Sequence, residues 1–138
     1  MSTDLKAWTV EGFERMFNQG DLSYIDERLT RDSVDRQEAD GTDVCEHLRH
    51  VVTSLRGAFP DLRFDVHEVV AEGDLVATRS TMTGTHRGRL PLGPLAAVEP
   101  QGRRISVAHM HLFRWDGDHV AEFWHVWDTT GLVRQLQG

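Results

Sequence analysis

Residues 102–128 read GRRISVAHMHLFRWDGDHVAEFWHVWD, and the period of this stretch decides the fold. Ile105–Trp115 and His119–Trp127 alternate in the manner of two half-buried strands, joined at Asp116-Gly117. Successive side chains leave a strand on opposite faces, so His109, His111 and Phe113 share a face with Val107, while Ala108, Met110 and Leu112 share the other. The register selects what joins them. A two-residue turn at Asp116-Gly117 pairs Trp115 with Asp118 and sets His111 opposite Glu122. A three-residue turn with Gly117 in the left-handed bulge position pairs Arg114 with Asp118 and His111 with Ala121. The second register is preferred, because it puts a salt bridge beside the turn and sorts Met110, Leu112, Val120, Trp124 and Val126 onto one apolar face. His109, His111, Phe123, His125 and Trp127 then form the other face, and rings of this kind make a pocket wall.

Upstream, Leu62–Val70 and Leu75–Thr83 alternate around a Glu72-Gly73-Asp74 turn and predict a second hairpin. Before Pro60 the period changes to that of a helix. Val44, Leu48, Val51, Val52, Leu55 and Phe59 predict a helix over Asp43–Phe59. A broad apolar stripe predicts another over Thr3–Gln19, capped by Ser2 or Thr3 and ended by Gly20, where a positive φ is needed. A short third helix is expected over Asp21–Leu29. Thr30–Gly41 reads as polar and turn-like, and Arg31–Arg36 within it as a solvated charge cluster. A loop carrying Pro91, Pro94 and Pro100 links His86 to Arg103, and Gly131–Gln137 reads as a short tail. Helices followed by hairpins predict the α+β class.

The 138 residues suit a single domain over 1–138. A net charge of −7 supplies no basic footprint for phosphate backbones, so nucleic acid is not an expected partner. Apolar runs are only a few residues long and MSTDLKAW has no signal-peptide core, so no membrane association and a cytoplasmic location are expected. The lone Cys45 excludes an internal disulfide and a thiolate metal cluster.

Three readings of the histidine wall compete. His-x-His at 109–111 with a third histidine across the ladder can present three nitrogens to zinc, iron or copper, although no carboxylate is placed on that face. Acid–base catalysis by His125 and His111 is the second, since imidazole titrates near neutrality. The third is half-buried histidines with no chemical task. Acid–base chemistry without a metal is preferred.

The segments Phe59–Gly88, Gly102–Asp128 and Thr130–Gln137 resemble the SnoaL-like polyketide cyclases of the nuclear-transport-factor-two-like superfamily. The marks are Phe-Pro-Asp at 59–61, Gly-Thr-His at 84–86, Gly-Arg-Arg at 102–104, and the Asp-Gly turn followed by Glu-x-Trp and a Leu-x-x-Gln-Leu tail. The resemblance implies a cone-shaped α+β barrel, with the N-terminal helices packed in a strongly curved, mostly antiparallel sheet around one pocket. It also implies an intramolecular aldol ring closure of a polyketide ester with no cofactor. A carboxylate after the Trp of the last strand serves as the family's acid/base, and a histidine on the preceding strand assists. The assisting histidine matches His111, but Phe123-Trp124-His125 stands where the family has His-Trp-Asp. His125 is therefore expected to take over proton transfer with His111 as its partner, and His109 to orient one of the pair. Related expectations are cofactor-free hydroxylation, an isomerase or hydrolase step, or a small-molecule binder that has lost the catalytic carboxylate.

Trp127, Phe123, Phe113, Trp8, Phe13 and Phe17 are expected to form a flat slot for a hydrophobic ligand, core packing being the alternative for Phe13 and Phe17. His86 matches a family histidine near the pocket mouth, and Asp35 lies where the family often has a polar pocket residue; a strand-end contact and a turn position are their plainer readings. The 87–101 loop is either a lid or a dimer contact. Arg87, Arg89, Arg103 and Arg104 either hold an anionic tail or form a solubilising rim, and Asp128 caps the turn into the tail. The apolar face with Met110, Leu112, Val120, Trp124 and Val126 is expected to be covered by a second copy, making a homodimer through the convex side of the sheet.

Overall fold

Two Gly-Asp turns set the register of the sheet. Gly73 and Gly117 take φ of 62° and 63°, so Glu72 pairs with Leu75 and Asp116 with His119. A hairpin with positive φ at its first central residue requires glycine there and matches the twist of the flanking strands. The structure is a computed structural model that describes residues 2–137; the side chains of Ser2, Thr3, Gly93 and Pro94, and with them the expected helix cap, lie outside the described residues.

Helix α1 (Ser2–Gly12) runs into a π-helical segment, Phe13–Asn18, rather than continuing as one α-helix to Gln19. Gly20 closes it with φ 71°, as its position predicts. Helix α2 (Ser23–Arg28) follows, then a two-residue strand β1 (Val34–Asp35) and helix α3 (Val44–Ala58). Asp43 caps α3 by accepting from the Glu46 amide. Strands β2 (Arg63–Glu72), β3 (Leu75–Thr85), β4 (Arg104–Asp116) and β5 (His119–Trp127) form the two hairpins. The expected tail is a helix, α4 (Thr129–Gln137), with Leu132 and Leu136 buried and Asp128 accepting from the Gly131 amide.

The sheet has the order β1-β5-β4-β3-β2, antiparallel except for the β1–β5 pair, and it is curved but not closed. Bulges in β2 at His67 and in β5 at Ala121 add the local bend. The π-helical segment and α3 bury Phe13, Val52 and Leu55 against the inner face, where Val76, Met82, Ile105 and Val107 meet them. Leu48 and Val51 of α3 are only partly buried, because they border a cavity described below. This is the α+β architecture expected, with an open sheet in place of a barrel.

The β4–β5 register differs from both expected ones. The turn residues are Gly117-Asp118, and beyond the Ala121 bulge His111 faces His125 rather than Ala121. The slip from the preferred register is four residues, an even number, so the same imidazoles still point inward. Only Val120 changes sides: the bulge turns it inward, buried beside Trp115. Arg114, correspondingly, pairs with Glu122 and Asp74 rather than Asp118.

Candidate active site

On the inner face of β4 and β5, His109 faces Trp127, His111 faces His125, and Phe113 faces Phe123. The rings form a layer: His109 and His111 centroids are 5.8 Å apart, and His111 and His125 5.6 Å apart, all near parallel. This layer borders a cavity of about 210 Å³, with Leu48, Val51 and Leu55 of α3 opposite. Leu92 completes the wall, so the 87–101 loop reaches the site, anchored by the buried Leu90 and Leu95 and carrying a short 3₁₀ turn over Gly93–Ala97.

A carboxylate, that of Asp35, enters this wall from outside the β4–β5 hairpin. Ser33 Oγ donates to the Val120 carbonyl, and the Arg36 amide donates to the Phe123 carbonyl, stitching residues 33–36 to the edge of β5. Ser33 and Asp35 face inward while Arg31, Asp32, Val34 and Arg36 are exposed, so of the charge cluster expected here only Asp35 is buried. Asp35 is 6% exposed, and its two carboxylate oxygens lie 3.1 and 3.0 Å from Nε2 of His125. Asp35 also accepts from the Gln37 amide, which holds its carboxylate in place.

The other two histidines have no such partner. His109 is 7% exposed, and burial pushes its pKa down to about 3; His111 lies well below its usual value for the same reason, with the neighbouring imidazoles adding to the effect. Both are neutral near pH 7. Nε2 of His109 and Nδ1 of His111 are sealed from solvent without a hydrogen-bond partner, as are the hydroxyls of Ser80 and Thr78 on the neighbouring strand. A buried N–H without an acceptor is costly, so the proton belongs on the other nitrogen of each ring, which can meet a ligand.

Phe13 and Phe17 do pack at the site, Phe13 edge-on to His111 at 5.1 Å and Phe17 on the cavity wall. Trp8 does not: its ring lies 5.6 Å from that of Trp115 with Arg28 over it at 3.9 Å, so it belongs to the closed end of the fold. His86 is also absent from the wall. It is 1% exposed, against Phe59, with its backbone bonded to Gly102 and Arg103 at the base of the loop. Of the arginine group, Arg104 pairs with Asp61 and Arg89 with Glu99, as a rim would. Two polar wall residues were not expected from the sequence: Glu38, and His47 with Nε2 3.4 Å from it. His47 sits one turn before Val51 on α3, the only signal that it shares the inward side. Asp35, Glu38 and His47 offer ligand atoms within 4.8 Å of one another, the one such group found among the described residues, whereas the layered rings of His109, His111 and His125 do not form one.

The profile described as SnoaL-like polyketide cyclase matches residues 7–136. The chain belongs to that family. Among solved structures, this SnoaL-like protein superposes on AclR from Streptomyces galilaeus, a proposed hydroxylase, with TM-score 0.80 and 28% identity over 99% of this chain and 98% of that one. TsrD from Streptomyces laurentii gives 0.83 and 25% over 99% and 97%. IdmH from Streptomyces antibioticus, a proposed polyketide cyclase, gives 0.75 and 26% over 96% and 99%. No curated protein sequence matches the chain. Among the described residues no helix is long and apolar enough to cross a membrane.

Proposed function

We propose that this SnoaL-like protein is a cofactor-independent acid/base enzyme that closes a ring by intramolecular aldol addition in a hydrophobic, polyketide-like carbonyl compound. The Asp35–His125 contact carries the reading. It restores, as a pair from two strands, the carboxylate that position 125 lacks. With Nε2–H of His125 held by Asp35, the Nδ1 lone pair is free to take a proton from a carbon between two carbonyls. The carbanion attacks a second carbonyl carbon of the same molecule, one carbon–carbon bond forms, and the resulting alkoxide takes the proton back from His125. His111, neutral and a donor into the cavity, stabilises the enolate oxygen, and His109 plays the same part for a neighbouring oxygen. Phe123, Phe113, Phe17 and Trp127 keep water from the reacting centre.

Ring opening of 5-nitrobenzisoxazole, a carbon acid whose product absorbs visible light, tests the base without knowledge of the natural substrate. His125→Gln is expected to lower the rate by about 10²–10⁴-fold. An unchanged rate overturns the assignment, and binding of aromatic ketones with no turnover in the wild type favours a carrier. The likeness to AclR favours one second reading, hydroxylation of a related aromatic compound; uptake of dioxygen during turnover distinguishes it from ring closure.

On the same reading the protein is a homodimer through the convex face of the sheet, where Met110 and Val126 are 53% and 61% exposed. Met110→Lys is expected to convert dimer to monomer in light scattering after size exclusion; a wild type that elutes as a monomer refutes this.

A further inference from the structure

Behind the histidine layer lies a second, smaller cavity of about 60 Å³. Phe17, Leu48, His111 and Phe123 border both cavities, so the two chambers meet at the catalytic layer. Their chemistry differs sharply. Asp35, Glu38, His47, His109 and His125 border the outer chamber only. Apart from His111 at the junction, the polar side chains of the inner one are Thr9 and Tyr24, and both are already committed. Thr9 Oγ1 donates to the Leu5 carbonyl and accepts from Trp115 Nε1, and the Tyr24 hydroxyl donates to the Trp8 carbonyl. Apart from His111 no side-chain hydrogen-bond donor is left free in the inner chamber, so a carbonyl or other acceptor entering it would lose its water without return.

The chamber is also a built feature. A Cβ on Gly12 would stand 2.8 Å from the Tyr24 ring, so glycine at this position lets the tyrosine close over α1 and form one wall. The bulge at Ala121 turns Val120 inward to form another.

We propose that the inner chamber is a subsite for a short, unbranched alkyl group carried by the carbonyl substrate, with the carbonyl at His111 and the ring system in the outer chamber. A cavity of about 150 Å³ holds benzene, so one of about 60 Å³ holds two to three carbons. The inner chamber therefore measures the length of that alkyl group. This rests on the reading of the outer chamber as the site for a carbonyl compound, and the experiment separates the two.

Calorimetric titration with phenyl n-alkyl ketones, from acetophenone to hexanophenone, and with the matching n-alkylbenzenes gives the test. Affinity is expected to rise roughly fourfold per methylene up to a chain of two or three carbons and then to fall. Val120→Phe fills the chamber and is expected to abolish the rise. Met16→Ala enlarges it and moves the optimum to longer chains, so a poorly folded Val120→Phe leaves the proposal testable. Ketones that bind with no dependence on chain length overturn the subsite while leaving the carbonyl reading intact. Alkylbenzenes that show the length optimum, with ketones binding no better, leave the subsite standing and count against the carbonyl reading. Absence of binding in both series overturns both.

Discussion

His111 and His125 face each other across one ladder with ring centroids 5.6 Å apart, yet they stand in opposite electrostatic situations. His125 lies at the sheet's edge strand pair, is 27% exposed in its side chain, and meets a carboxylate at 3.0 Å. His111 lies one strand further in, flanked by Phe13 and Phe113, and one of its nitrogens has no partner at all. An imidazole bonded to a carboxylate has its tautomer fixed by that contact; one held neutral by desolvation keeps one donor and one acceptor nitrogen, and burial decides which of them meets a ligand. The position of a single strand edge therefore divides three similar histidines into one paired with a carboxylate and two held neutral by burial.

Acid breaks the contrast with the largest effect. His109 and His111 have folded pKa values below the unfolded 6.5, the first at about 3. The unfolded chain takes up their protons first, so stability is complete above about pH 6.5 and is lost as pH falls toward the folded values. The expected slope for His109 is about 1.4 kcal/mol per pH unit, or roughly 2–3 kcal/mol between pH 6.5 and 4.5, and His111 adds to it in the same direction. Urea melts across this range measure it, and His109→Phe is expected to lower the slope by about 1.4 kcal/mol per pH unit. Loss of the partner gives the next effect. His125→Phe strands the buried carboxylate of Asp35, with only the Gln37 amide still bonded to it, and is expected to cost roughly 2–3 kcal/mol in denaturant melts at pH 7. The smallest effect has the opposite sign. His111→Phe replaces an unpartnered polar ring by an apolar one of similar shape and is expected to stabilise the fold by about 1 kcal/mol while lowering activity. A destabilised His111→Phe would show that its sealed nitrogen is satisfied, and the contrast with His125 would then fail.

The fold could be read where local pattern and burial agree. The alternation of β4 and β5, the helical stripe of α3, and the glycines at 20, 73 and 117 all satisfied the same local rules in sequence and in space. The inward set of rings survived even a wrong register, because side-chain direction depends on whether the slip is even or odd and not on its size. The site was less accessible. Asp35 sits in a strand that buries Ser33 and Asp35 and exposes Val34, the inverse of the hydrophobic alternation by which strands are recognised. Trp8 was expected in the pocket by type and His86 by its match to a family histidine, but α1 and the base of the loop carry them elsewhere.

By itself, then, the sequence determined the order of the N-terminal helices and the two hairpins, the glycine at each hairpin turn and the family, since each follows from interactions among near neighbours in the chain. Tertiary structure decided that the carboxylate of Asp35 meets the imidazole of His125, ninety residues along the chain, and that the cavity has two chambers. Neither is encoded in a local period. Both arise where separate segments pack, and there the gain from closing a sheet edge can bury a charge that no neighbour in the sequence would have sheltered.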